Sequence, residues 1–274
     1  MLTIWQAILL GTIQGITEFL PVSSDGHLVI AQEAFGLRPP NAIAFDVLLH
    51  LGTLVAVVGY FRTDLFEMTE SLFGAGGENR AVRFRWIWLL GFGTLPVAIV
   101  GFFLEDWFGE TFNSLVWAGG GLLVTGVMLS LVHGKGATGR GEADLTFRDA
   151  FQIGGIQSIA LLPGVSRSAS TLFCALSTGV ERTTAARFSF LLSIPAIVGA
   201  LVLKSGAVLE MARTGDPVPL VIGPLVAAVT GWFAIEVLMR AVRRGSLRGF
   251  AIYCWTVGAL TLAWSIVGAG AGVR

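Results

Sequence analysis

Six stretches of almost unbroken apolar residues, 42–61, 86–104, 114–132, 188–208, 218–239 and 249–267, punctuate the chain. Each is close to the roughly 20 residues that a helix needs to cross a bilayer, so six transmembrane helices are expected. Residues 1–36 and 150–179 are also apolar but are interrupted near the middle. The interruptions are Leu20-Pro21-Val22-Ser23-Ser24-Asp25-Gly26-His27 and Leu162-Pro163-Gly164-Val165-Ser166-Arg167-Ser168. Such segments are too polar to face lipid. Irregular backbone at membrane depth survives only inside protein or against a wet cavity, so each reads as a re-entrant helical hairpin.

An offset of 143 aligns the two halves without a gap. Gly11, Ile13, Gln14, Ile16, Val22 and Ser23 match Gly154, Ile156, Gln157, Ile159, Val165 and Ser166, and Phe45, Leu48, Leu49 and Val55 match Phe188, Leu191, Leu192 and Val198. Apolar matches are common in so apolar a chain; the Gln and Ser matches carry the repeat. The expected organisation is a first repeat over 1–133, a cytoplasmic linker over 134–149 and a second repeat over 150–274. Three spans per half is an odd number, so the second repeat is inverted. The fold class is therefore an all-α polytopic membrane protein. Inverted repeats with broken helices place a site near the midplane, where the breaks meet, so Glu18, Ser24, His27 and Arg167 are expected in one cavity.

Composition narrows the function classes. Hydrophobic residues make up 54% and charged residues 13% of the 274, about half the charge of a soluble domain. Eighteen basic and eighteen acidic residues cancel, leaving no basic field for nucleic acid. Cys174 and Cys254 offer neither a disulfide framework nor metal spacing. The apolar N-terminus lacks a basic region and a cleavage signature, so it is not read as a removable signal. Residues 62–85, 133–149, 180–187 and 240–248 hold 13 Lys or Arg, against four at Arg38, Lys204, Arg213 and Arg274. The basic side is expected in the cytoplasm, with both termini and the mouth of the first hairpin outside.

Charge buried in a membrane is expensive and marks function by default. Gln14 and Glu18 lie four apart, on one helix face. Glu18 reads as a functional charge, or more simply as the buried partner of Arg167. His27 reads as nucleophile, as general acid, or as a helix-capping histidine. Pro163 to Thr171 combines a glycine break, one guanidinium and hydroxyls at 166, 168, 170 and 171. That is an anion site suited to phosphate, beyond what capping by Ser and Thr explains. Asp46 and His50, four apart, either support the site or sit among headgroups. Gln157 is read as a hydrogen-bonding counterpart of Gln14. The Gly-rich Gly134 to Gly141 segment does not resemble a P-loop.

Gln14-Gly15-Ile16-Thr17-Glu18-Phe19-Leu20-Pro21-Val22-Ser23-Ser24, followed by Gly26-His27, resembles the first motif of the undecaprenyl-diphosphate phosphatase family, also called the bacitracin-resistance proteins. Pro163 to Thr171 resembles its second motif, Pro-Gly-x-Ser-Arg-Ser-x-x-Thr, and the segments 45–53 and 187–192 are also family-like. The resemblance covers essentially the whole chain. Asp25 stands where many members have Thr, and Ala169-Ser170 where Gly-Ala is frequent; Cys254 follows Phe250 to Tyr253 where Arg is common.

The resemblance implies hydrolysis of undecaprenyl diphosphate to undecaprenyl phosphate and inorganic phosphate at the outer side of the bacterial cytoplasmic membrane. This reaction recycles the lipid carrier for peptidoglycan synthesis and confers bacitracin resistance. The implied cofactor is a divalent cation, magnesium in most members, at Glu18 with Asp25 as a second candidate ligand. Arg167, Ser166, Ser168 and Thr171 are expected to clamp the diphosphate, with Gln14 and Ser23 beside them. The nucleophile is either Ser24 activated by His27 or His27 itself. The expected partners are the lipid diphosphate, bilayer lipids and a second copy of the chain. Two rivals stand beside this reading: a transporter or flippase of a phosphorylated lipid on the same fold, and a phosphatase of shorter prenyl diphosphates.

Overall fold

The computed structural model describes residues 2–36, 42–74, 77–104 and 114–270; side chains are described within these except at 42, 43 and 268–270. Arg38 and Arg274 lie outside the described residues. Among the described residues there are twelve α-helices and no strand. They are α1 (Ile4–Phe19), α2 (Ser24–Ala34), α3 (Ala42–Tyr60), α4 (Arg62–Leu72), α5 (Arg80–Phe103), α6 (Leu115–Val132), α7 (Phe147–Gln157), α8 (Arg167–Ser177), α9 (Arg182–Leu203), α10 (Ser205–Thr214), α11 (Pro217–Arg243) and α12 (Arg248–Gly270).

Five helices among the described residues are long and apolar enough to cross a membrane, α5, α6, α9, α11 and α12; α3 and α4, bent by 72° at their junction, make a sixth candidate. The chain is an all-helical polytopic membrane protein. The helix ends differ from the apolar stretches that betrayed them. Both α5 and α9 start in basic segments, because Arg83 and Arg187 find acidic partners there and the helix need not stop where hydrophobicity does. Near the other end α9 finishes at Leu203, and residues 205–214 form the separate helix α10.

Both interruptions are real breaks, but shorter or displaced. Helix α2 already begins at Ser24, so Asp25, Gly26 and His27 are helical. The second break opens earlier, with a 3₁₀ turn over Ser158–Leu161. Each following helix has the same cap. Ser23 Oγ accepts from the Gly26 amide and Ser166 Oγ from the Ala169 amide, both at 3.3 Å. These positions are 143 residues apart, as in the sequence repeat.

Packing follows the same order. α1 lies along α11 and α7 along α5; α3 packs on α11 and α9 on α5; α6 and α12 pair with each other. Lipid supplies no hydrophobic drive between helices, so close approach and small residues hold them. Gly11 and Gly154 show why. A Cβ on Gly11 would lie 2.4 Å from the Gly223 carbonyl oxygen, and one on Gly154 would lie 1.8 Å from that of Gly93. Larger side chains fill the centre, where Phe19 meets Phe190 edge to face at 5.7 Å and Trp86 meets Phe188 at 5.6 Å.

The four basic segments gather at one face. Arg83 Nε donates to Glu67 at 2.7 Å and its Nη1 to Glu142 at 3.0 Å. Arg187 bridges Glu142 and Asp64. Arg182 donates to the carbonyls of Gly134, Lys135 and Arg243. The segment between the halves is no free tether. Arg140 forks onto both Asp149 oxygens at 2.7 Å, and its backbone pairs with Gly179 and Glu181.

Candidate active site

The two breaks meet inside the helical assembly. Ser168 Oγ donates to the Leu20 carbonyl at 3.3 Å. Thr125 of α6 ties down the second break, donating to the Gly164 carbonyl at 3.0 Å and accepting from the Ser166 amide at 2.9 Å. Gly164 has φ +88°, and a Cβ there would lie 2.1 Å from the Ala118 carbonyl oxygen. Ser23 has φ +69°, a left-handed conformation that is uncommon for a residue with a Cβ. Strain of this kind collects at functional sites. It turns the chain so that α2 starts with Ser24 facing α1.

Glu18 is the centre of the resulting cluster and is buried. Its Oε1 accepts from Arg167 Nη2 at 2.7 Å. Its Oε2 accepts from Ser24 Oγ at 2.6 Å and Gln14 Nε2 at 3.0 Å, and lies 3.4 Å from His50 Nε2. His50 Nε2 is also 3.9 Å from an Asp25 oxygen. Its Nδ1 sits 2.7 Å from the Asp46 carbonyl, while the Asp46 carboxylate accepts from Gln32 at 3.0 and 3.1 Å. Glu18, Ser24 and Arg167 are therefore brought together across 149 residues of sequence.

His27 is not with them. Its Nδ1 contacts the Ser23 carbonyl at 2.7 Å and its Nε2 the Tyr253 hydroxyl at 2.8 Å. The expected Ser24–His27 pairing is thus not formed. Three-residue spacing can place two side chains on one helix face, but Ser24 is the first helical residue and turns back to α1. The second helix-start segment also divides. Ser166 and Arg167 line the cavity; Ser168 and Thr171 do not. Thr171 Oγ1 bonds within α8 and with Ser189 Oγ, and Ser168 Oγ serves Leu20 and Ser166. Those two hydroxyls hold the break in place.

The sequence allows His50 either to support the site or to sit among headgroups, with four-residue spacing to Asp46 as its one signal; the structure places it beside Glu18. Tyr253 had no such signal, being 226 residues from His27.

The cluster forms the polar end of a cavity of about 670 Å³. Glu18, Ser23, Ser24, Asp25, His50 and Arg167 line that end. The walls are apolar, built from Val97 to Phe102 of α5 and Pro195 to Leu203 of α9, and they run to Lys204. Both wall helices begin at the basic face, so the cavity extends from the breaks toward the opposite face. Helices α2 and α8 both begin at the polar end, with Ser24 and Arg167, and a helix N-terminus is a setting that favours anions. An amphiphile with an anionic head and an apolar tail suits this shape.

The chain matches the family model described as bacitracin resistance protein BacA over residues 7–260. It is 43% identical over 267 residues to an undecaprenyl-diphosphatase of Desulfosudis oleivorans, covering 94% of this chain and 97% of the relative. It is 41% identical over 276 residues to one from Desulfatibacillum aliphaticivorans, covering 96% and 99%. A relative of the same name from Myxococcus xanthus is 39% identical, covering 95% of this chain and 89% of its own.

Proposed function

The chain belongs to the bacitracin resistance protein BacA family, and from that premise we propose that it hydrolyses undecaprenyl diphosphate to undecaprenyl phosphate and inorganic phosphate. One observation carries the reading. A buried carboxylate, Glu18, holds a serine hydroxyl on one oxygen and an arginine on the other, at the anionic end of an apolar-walled cavity. The relatives named undecaprenyl-diphosphatase support the substrate. A lipid transporter would need the anion clamp but not the Ser24–Glu18 pair.

In this mechanism Ser24 Oγ attacks the terminal phosphorus, and Glu18 Oε2 takes its proton. The bond between that phosphorus and the bridging oxygen breaks. Undecaprenyl phosphate leaves with the bridging oxygen and the proton. Water then attacks the phosphoserine and gives a proton through Glu18 back to Ser24 Oγ, freeing inorganic phosphate. Arg167 and Ser166, with the amides at the starts of α2 and α8, hold the phosphate oxygens and their developing charge. His50 and Gln14 orient the Glu18 carboxylate. The rival nucleophile, His27, has both ring nitrogens engaged outside the cavity.

The polar end also fits a divalent cation of the magnesium type. Its donors are hard oxygens, Glu18 and Asp25 with the Ser23 and Ser24 hydroxyls. Among the described residues no group of three or more His, Cys, Asp or Glu would hold a metal alone. Magnesium is commonly held by one or two carboxylates together with substrate phosphates, so the fit is to the pair plus the lipid head. When bound, such an ion neutralises charge on the phosphates.

The repeated order of caps and helix pairings supports an inverted repeat. The basic face, read as cytoplasmic, then leaves the cavity open to the outer side of the bacterial cytoplasmic membrane. The test is phosphate release from undecaprenyl diphosphate by purified protein in detergent with magnesium. Equal amounts of phosphate and undecaprenyl phosphate are expected; intact lipid diphosphate after prolonged incubation would overturn the proposal.

A further inference from the structure

Gln157 closes α7 on the wall of the same cavity as Glu18, Ser24 and Arg167. It is 1% exposed, and neither Nε2 nor Oε1 has a hydrogen-bond partner among the described residues. A buried amide without partners loses its hydration and regains nothing. Such a group in a native protein calls for an explanation.

The sequence repeat supplies a comparison. Gln14, 143 residues earlier, donates from Nε2 to Glu18 four residues further along α1. The residue four beyond Gln157 is Leu161, which is also on the cavity wall. One glutamine thus has a carboxylate built in, and its counterpart has a leucine and an open cavity. Gln14 Oε1 also lacks a partner, but Gln14 does not line the cavity. The cavity's polar end carries a guanidinium and two helix N-termini, so the acceptor that enters it is an anion.

We propose that Gln157 is a ligand of the lipid's diphosphate, donating from Nε2 to a phosphate oxygen when the lipid is bound. The proposal rests on the phosphatase reading above for the identity of that lipid. The amide completes a ring of donors with Arg167 and fixes the phosphate relative to Ser24. The lack of a partner for it among the described residues is the complement of that bond. Loss of the amide therefore harms the lipid complex and spares the free protein.

The experiment compares wild type, Gln157→Met and Gln157→Glu, purified in detergent. Two quantities are read: kcat/KM for undecaprenyl diphosphate, and the melting temperature with and without that lipid. Met keeps the length of the side chain and removes both polar atoms. Its kcat/KM is expected to fall about tenfold, the cost of one hydrogen bond to a charged acceptor. Its melting temperature without lipid should be unchanged or higher, and the rise caused by lipid should shrink. Glu sets a carboxylate against the phosphate and should fall further than Met. Wild-type kcat/KM in Gln157→Met would overturn the proposal. So would a melting temperature lowered by several degrees without lipid, which marks a structural amide, or a Glu variant as active as wild type. A wild-type protein that releases no phosphate would instead sink the phosphatase reading. The lipid-dependent melting shift would still judge Gln157.

Discussion

Four side chains converge on the Glu18 carboxylate, and their division of labour yields sharp expectations. Among the described residues Ser24 is the one hydroxyl within hydrogen-bond reach of it. Ser24→Ala should lower kcat by about a thousandfold or more, as loss of a nucleophile does. His27→Ala removes hydrogen bonds to the Ser23 carbonyl and the Tyr253 hydroxyl and none to Glu18 or Ser24 among the described residues, so a loss near tenfold is expected. Single-turnover assays with labelled lipid diphosphate measure both; equal losses would restore His27 to the chemistry. Arg167→Lys keeps a charge but loses the planar fork. The lysine cannot hold Glu18 and a phosphate together as the guanidinium can, so turnover should disappear in a protein that still folds. Retained wild-type turnover would remove Arg167 from the clamp.

Where helices touch, the identity of the smallest residue decides. Gly154 and Gly155 are neighbours on α7, yet their surroundings are opposite. A Cβ on Gly154 would strike the Gly93 carbonyl of α5, while one on Gly155 meets nothing within 4 Å. Gly154→Ala should destabilise the protein by about 1–3 kcal/mol, the usual cost of overpacking. Gly155→Ala should leave stability unchanged or raise it by about 0.5–1 kcal/mol, because alanine suits a helix interior better. Melting curves in detergent separate the two; a Gly154→Ala protein as stable as wild type would mean that α5 and α7 can part without cost. Gly11, 143 residues earlier, makes the same demand against α11.

Across the protein, charge and cavity are arranged along one axis. Arg83, Arg140, Arg182 and Arg187 lie at the face where α5 and α9 begin; the cavity opens toward their other ends, at Lys204. If the basic face is cytoplasmic, Arg213→Cys should react with a membrane-impermeant thiol reagent in intact cells. Thr138→Cys should react only after the cells are opened. Both positions are exposed, and the native Cys174 and Cys254 are buried, so background labelling is low. The reverse pattern would place the cavity mouth on the cytoplasmic side.

The helical membrane class was legible from the chain alone, because a bilayer imposes length and apolarity on each span and forbids unpaired backbone. The breaks were legible too, since Pro, Gly, Ser and charge in an apolar run have few other uses. The meeting of Glu18 with Arg167 is expected where the two breaks come together and is found there, and the family is legible in two dense motifs. Other features needed three dimensions. His27 and His50 differ in sequence only by their neighbours, yet one turns to Tyr253 and the other to Glu18. The left-handed turn at Ser23, which aims Ser24, leaves no mark in residue type. Ser168 and Thr171 look like phosphate ligands by pattern and are consumed by packing. Gln157 looks like Gln14 and differs only in what lies across the cavity. Spacing constrains which face a side chain can occupy; its partner is set by backbone that arrives from more than a hundred residues away, and short-range pattern holds no record of that.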